Sequence, residues 1–166
     1  EGDGGNVAVY VTGNGVILVD DKFERAHDAI MGIVRRLTAQ PIKYILSTHY
    51  HADHSGGNAK MYDSGIEIIS TRKSRENILE KKQSNAPPGV LPARIVFTDE
   101  TSVFLGGKEV RAHFYGRGHT NGDAMVYFPL LKVLHTGDMM AGASPLIDYS
   151  GGGSAVPPCR RWISTP

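Results

Sequence analysis

The feature that most restricts the fold is a strand, helix and strand in succession between residues 16 and 46. Val16–Asp20 and Ile42–Leu46 are short apolar runs typical of strands. Asp21 is expected to cap a helix over residues 23–38, since apolar residues recur there at helical spacing: Phe23, Ala26, Ile30, Val34 and Leu37. Two strands joined by a crossover helix of this length pair in parallel, which indicates an α/β fold.

Further strands are expected on both sides of this unit. Val7–Val11 is predicted to form a hairpin with Val16–Asp20, because Asn14 and Gly15 both tolerate positive φ. A helix is expected over 72–82 and a loop over 85–89. The remaining predicted strands are 66–69, 101–105 with 108–113 joined at Gly106-Gly107, and 124–128 with 132–135 turning at Pro129.

A histidine cluster follows the strand that ends at Leu46. The chain has seven histidines, and three of them lie here with an aspartate: His49, His51, Asp53 and His54. Residues two apart in an extended segment face the same side, so His49 and His51 are expected to bind one ion together. A turn after His51 would direct Asp53 and His54 towards a second position. Imidazole and carboxylate ligands suit zinc, and open sheets bind ligands at the carboxyl ends of their strands.

Composition excludes several classes of function. The 166 residues suit one domain, and the net charge of +1 comes without a stripe of Lys and Arg, so neither nucleic acid nor a membrane surface is an expected partner. The apolar runs are too short to cross a bilayer. Cys159 is the only cysteine, which rules out an internal disulfide and a thiolate metal cage.

Three segments together resemble the metallo-β-lactamase-fold superfamily. His49-Tyr50-His51-Ala52-Asp53-His54 has the HxHxDH form, and Gly118-His119-Thr120 and His135-Thr136-Gly137-Asp138 follow in the family's order. The resemblance extends from Gly4-Gly5 to about Val156. It implies an αββα sandwich, a zinc-dependent hydrolase and a small-molecule substrate.

The resemblance also implies a set of metal ligands. His49, His51 and His119 would bind one zinc ion, Asp53 and His54 a second, and Asp138 would bridge both. His119 could instead merely end a strand, and Asp138 could cap a turn. Other residues are expected outside the ligand set. His27 is expected on the surface and Tyr50 in packing, and Thr120 and Asp123 could orient His119 or Asp138. His113 and His135 are expected in structural roles, although both lie close enough to the site in sequence to support its ligands.

The chain departs from the family's pattern after Val156. Relatives continue through another helix and strand to a final histidine, whereas Pro157 to Pro166 contains none. We therefore expect a truncated domain at 1–156, incomplete in its second half, with an irregular Pro-rich tail at 157–166. A homodimer would cover the exposed sheet, and the second zinc would bind more weakly than the first. Removal of a leader before Glu1 would indicate a periplasmic or secreted protein, and otherwise a cytoplasmic one.

The reaction implied by the resemblance is attack on a carbonyl by zinc-activated hydroxide, with Asp53 orienting the hydroxide and relaying its proton. A β-lactam-type amide is the first substrate expected. One large lactamase subgroup has arginine at the position of His54, so the chain resembles the subgroups that use histidine there. Asp138 is present as in general hydrolases of the superfamily, including glyoxalase-like thioesterases, so a thioester or lactone hydrolase of the glyoxalase II type is the alternative. A third possibility is a catalytically inert zinc-binding fragment. Diiron relatives usually carry glutamate in place of His51.

Overall fold

The computed structural model describes residues 3–83, 89–142 and 144–156. Residues 85–88 of the loop predicted at 85–89 and the predicted tail at 157–166, which includes Cys159, lie outside these residues.

The first half of the chain forms a five-stranded sheet in the order β1-β2-β3-β4-β5. β1 is antiparallel to β2, and β2 to β5 are parallel to one another, so the predicted hairpin and the predicted parallel pairing are both confirmed. The sequence did not predict β5, which has only three residues. The strands are β1 Ala8–Val11, β2 Val16–Val19, β3 Ile42–Leu46, β4 Glu67–Thr71 and β5 Ile95–Phe97.

Four helices accompany this sheet: α1 His27–Leu37, α2 Ala52–Ser55, α3 Asn58–Asp63 and α4 Arg72–Leu79. The predicted cap at Asp21 is wrong. A 3-10 turn over Glu24–Ala26 precedes α1, and Asp21 Oδ1 instead accepts a hydrogen bond from Gly57 N at 3.0 Å. Leu37, predicted on the buried face, is 60% exposed because it lies in the last turn of α1.

The second half forms a four-stranded antiparallel sheet, and all four strands were predicted. The strands are β6 Glu100–Leu105, β7 Lys108–His113, β8 Met125–Phe128 and β9 Val133–His135, and a 3-10 turn over Gly137–Met140 follows β9.

Two apolar clusters bind the layers together. Ile17, Val110 and Val126 belong to the cluster between the sheets, and Leu18, Val34 and Met61 to the cluster between the five-stranded sheet and the helices. The layers are therefore helices, sheet and sheet, as the α/β prediction required.

The outer face of the four-stranded sheet has no helical layer within the described residues, where α4 is the last α-helix. Phe104, which alternates with the buried Val103, is 71% exposed there. Among the described helices, none is long and apolar enough to span a membrane.

Candidate metal centre

The predicted site residues lie where strands of both sheets end. His49, His51 and His54 follow β3, and α2 carries Asp53 and His54. His119 follows β7 and Asp138 follows β9 in the other sheet. Residues far apart in the sequence therefore meet at one edge of the sandwich.

Three imidazole nitrogens converge in the first part of this site. His51 Nδ1 lies 3.1 Å from His49 Nε2 and 3.0 Å from His119 Nε2. His49 and His119 are almost completely buried, at 1% and 3% exposure. The three atoms are close enough to bind one metal ion together.

The hydrogen bond at the outer nitrogen of each ring determines whether the inward nitrogen carries a proton or a lone pair. His119 Nδ1 donates to Leu146 O at 2.8 Å, and His51 Nε2 donates to Asp148 Oδ2 at 2.9 Å. Neither oxygen has a proton to give, so the inward nitrogens of these two rings carry lone pairs.

Thr48 sets the orientation of the third ring. Its hydroxyl donates to Asp20 Oδ2 at 2.8 Å and can accept from His49 Nδ1 at 3.1 Å, which leaves the lone pair of His49 Nε2 facing inward. Three lone pairs this close repel one another unless a cation lies among them. The donor set therefore fits a divalent ion, with the outer hydrogen bonds that metal-binding histidines usually have.

A second group of ligand-type atoms adjoins the first. His54 Nε2 is buried, lies 3.1 Å from Asp138 Oδ1 and 3.6 Å from Asp53 Oδ2, and makes no aligned hydrogen bond to a described residue. Asp138 Oδ2 lies 3.8 Å from His119 Nε2, so this carboxylate stands between the two groups. His49, His54 and Asp138 also form a possible ion-binding set.

The local charges distinguish the two groups. Burial lowers the pKa of His49 well below its ordinary value, and burial lowers the pKa of His51 despite the nearby Asp148. Burial would also lower the pKa of His54, but the charges of Asp20 and Asp138 raise it to about 10. A metal ion would therefore compete with a proton at His54 but not at His49 or His51.

Two supporting carboxylates were missed by the sequence analysis. Asp20 is fully buried, and its Oδ2 accepts from His54 Nδ1 at 2.8 Å while its Oδ1 accepts from Thr48 N at 2.7 Å. The position of Asp20 at the end of β2, beside the parallel β3, was the available signal. Asp148 holds His51 from a loop without periodicity, where the sequence carries no comparable signal.

Several expected roles differ in the structure. Tyr50 does not simply pack, since its hydroxyl donates to Asp148 Oδ2 at 2.7 Å. Thr120 donates to Asp123 from both N and Oγ1, so this pair shapes the turn next to His119 instead of bonding its ring.

The remaining histidines lie outside both groups. His113 lies 3.3 Å from Glu100, His135 Nδ1 accepts from Gly137 N, and His27 is half-buried at the start of α1.

An open cavity of about 520 Å³ gives access to the second group. Asp53, His54 and Asp138 line it on one side, and its other walls come from residues 4–6 and from 134–141 around β9 and the turn that follows. The cavity is large enough for a small organic substrate.

Two stacked sheets with a histidine-rich metal site at their shared edge define the class of protein. The chain belongs to the metallo-β-lactamase superfamily, which it matches over residues 1–161. The resemblance inferred from the three sequence segments is thus confirmed.

Individual relatives agree with this assignment. Over 140 residues, 84% of this chain, the sequence is 29% identical to metallo-β-lactamase IND-1 of Chryseobacterium indologenes and 26% identical to metallo-β-lactamase type 2 of Bacillus cereus. These matches cover 56% and 52% of the relatives, so the chain spans about half their length. The structure of BJP-1, a subclass B3 metallo-β-lactamase of Bradyrhizobium japonicum, is 26% identical and superposes with a TM-score of 0.65 over 76% of this chain and 51% of that one.

Proposed function

We propose that this chain is a zinc-dependent hydrolase domain that acts on a carbonyl group, with a β-lactam-type amide as its first candidate substrate. The observation that carries the proposal is the convergence of His49, His51 and His119. His51 Nδ1 lies 3.1 Å from His49 Nε2 and 3.0 Å from His119 Nε2. Family membership and the names of the two curated relatives support the same reaction.

The two groups of side chains would hold two ions of different affinity. His49, His51 and His119 would bind the first zinc ion, and Asp53 and His54 the second, with Asp138 between them. When bound, zinc acts as a Lewis acid on a carbonyl oxygen and lowers the pKa of water. The second ion would bind more weakly, because the raised pKa of His54 means that a proton must leave first.

The protein's own groups would orient the reactants. Asp53 lines the cavity with its side chain 27% exposed, so its carboxylate can orient a water molecule and hold the proton released on attack. His54, at 1% exposure, is shielded from bulk water and held from Nδ1 by Asp20. These contacts keep the ring in one orientation beside the cavity.

The presence of Asp138 favours a second candidate, because the sequence resembles general hydrolases of the superfamily at this position. Its carboxylate lies 3.1 Å from His54 Nε2 and 3.8 Å from His119 Nε2, between the two groups. A thioester or lactone is therefore the alternative substrate class, and a zinc-binding fragment without turnover is the non-enzymatic alternative.

The test is turnover of a chromogenic β-lactam, a thioester and a lactone by the purified protein, with zinc and with a chelator. We expect chelator-sensitive hydrolysis, greatest for the β-lactam, that is lost in His51→Ala and retained in His113→Ala, whose ring lies outside both groups. Preference for the thioester or lactone would establish the alternative substrate. One zinc ion bound per chain with no hydrolysis of any of the three substrates would support the non-enzymatic alternative, a zinc-binding fragment without turnover.

We also propose that the chain forms a homodimer through the outer face of the four-stranded sheet. Phe104 is 71% exposed and Leu134 49% exposed, which are large values for apolar side chains. Light scattering after gel filtration should give twice the chain mass, and Phe104→Ser should reduce it towards the monomer. A monomeric parent protein would contradict this proposal.

A further inference from the structure

We propose that Lys22 is a positioning residue that latches residues 3–6, here called the glycine cover, over His54 and Asp53. This inference rests on the proposed second metal position, because the latch would hold the groups that bind the second ion. Lys22 was not among the predicted site residues.

The glycine cover lies directly on the second group. Gly5 N donates to Asp53 O at 3.3 Å, and a Cβ atom at residue 5 would overlap the ring of His54. Gly4 has a φ of +80°, and a Cβ atom there would come within 2.6 Å of Asp53 Cβ. Only glycine permits this close approach at both positions. The cover accordingly leaves His54 just 1% exposed.

Lys22 connects the glycine cover to the backbone just after α2, the helix that carries His54. Its Nζ donates to Gly5 O at 2.7 Å and lies 3.4 Å from Gly4 O. Its own carbonyl accepts from Gly57 N at 2.9 Å, just beyond α2, which carries His54. One residue thus holds both the cover that contacts the His54 ring and the end of the helix that carries His54.

The backbone of Lys22 is also unusual. Its φ is 61°, in the left-handed region that side chains other than glycine's disfavour. Because this backbone conformation disfavours lysine, a change to glycine should not lower the free energy of unfolding through the backbone. An effect on zinc binding can then be assigned to the loss of the side chain. Lys22→Gly would relieve the backbone strain and remove the latch in one step.

Lys108 provides a matched control. Its Nζ also donates to a backbone carbonyl, that of Val11, at 2.8 Å, and it is likewise partly buried. It begins β7, at the opposite end of that strand from the segment leading to His119. Loss of a lysine-to-carbonyl bond there should leave the metal centre unchanged.

The experiment measures both zinc affinities by calorimetry and the hydrogen exchange of residues 3–6 by mass spectrometry. In Lys22→Met and Lys22→Gly we expect the second zinc affinity to fall about tenfold, the first to stay the same, and exchange in the cover to increase. Gly5→Ala should lower the second affinity similarly, by lifting the cover off His54. Lys108→Met should behave as the parent protein, and Lys22→Gly should unfold at the parent's temperature or above.

The outcomes separate this inference from the proposed function. If the parent protein binds two ions and Lys22→Gly and Gly5→Ala keep its second affinity, the latch is overturned. An equal loss of the first and the second zinc affinity in these variants would also overturn the latch, as would the same loss of second affinity in Lys108→Met. In either case the effect would be general destabilisation. A parent protein that binds no zinc would overturn the proposed function itself, while unchanged exchange of the cover in Lys22→Met would still count against the latch.

Discussion

Replacement of Asp20 by asparagine should change which nitrogen of His54 carries the proton. In the parent protein, Asp20 Oδ2 accepts from His54 Nδ1 at 2.8 Å, so the lone pair of the neutral ring is on Nε2, facing Asp138. In Asp20→Asn, the amide oxygen can still accept from Thr48 N. The amide NH2 then points at His54 Nδ1, which must become an acceptor, and the proton moves to Nε2.

This tautomer change should weaken the binding of the second zinc more than that of the first. The lost bond is charge-assisted, and such bonds contribute about 1.5–3 kcal/mol. At about 1.4 kcal/mol for each factor of ten, the second zinc affinity should fall roughly 10- to 150-fold. The first affinity should fall by a smaller factor. Asp20→Asn also removes the acceptor of the Thr48 hydroxyl that orients His49, whereas the contacts of His119 to Leu146 and of His51 to Asp148 remain.

The assay combines zinc calorimetry with nitrogen NMR of the histidine rings at a pH above 10, where the parent His54 ring is neutral and its tautomer is defined. Asp21→Asn is the matched control. Asp21 is equally buried and burial raises its pKa, but its carboxyl accepts from Gly57 N and not from a ring of the site, so Asp21→Asn should leave the tautomer of His54 unchanged. If the His54 ring of Asp20→Asn keeps its proton on Nδ1 and the second zinc affinity is unchanged, the reasoning about this site is wrong.

Three further results are expected. Asp148→Asn should weaken the first zinc about 10- to 100-fold, since an outer hydrogen bond to a ligand ring is lost, whereas Tyr50→Phe, which removes the other donor to the same oxygen, should have a smaller effect in the same calorimetry. In metal-free protein the folded pKa of His54, about 10, exceeds the unfolded value of about 6.5, so its stabilisation is complete below pH 6.5 and is lost as the pH rises towards 10. Urea unfolding at pH 6 and pH 9 would show this, and it would be contradicted by a His54→Gln variant with the same pH dependence. Ile17→Ala, between the sheets at 0% exposure, should cost about 2–5 kcal/mol of unfolding free energy, against less than 1 kcal/mol for Leu37→Ala.

Most of the fold was predictable because its strands are short apolar runs separated by turn residues. The crossover between β2 and β3 determined the parallel pairing, and Gly106-Gly107 determined the hairpin of β6 and β7. The cap at Asp21 failed for a tertiary reason. The Asp21 carboxyl bonds to Gly57, a partner 36 residues away that no local pattern reveals.

The candidate site was predictable to the extent that its residues are consecutive or lie in recognisable segments. His49, His51 and His54 lie within six consecutive positions of one segment, and their spacing indicated two groups. Asp20 could have been inferred from the meeting of parallel strand ends. Asp148 could not, because it is 97 residues from His51 and reaches it through an irregular loop.

The placement of the imidazoles and carboxylates on both sheets has a thermodynamic consequence. His49 and His51 follow a strand of one sheet, and His119 and Asp138 follow strands of the other. An ion bound among them would therefore cross-link the two layers. Zinc would then bind the assembled sandwich in preference to the open chain, and free zinc at a hundred times its dissociation constant would add about 2.7 kcal/mol to the unfolding free energy. The melting temperature of such a protein would rise and fall with the free zinc concentration, so zinc limitation would first reduce the stability of the fold.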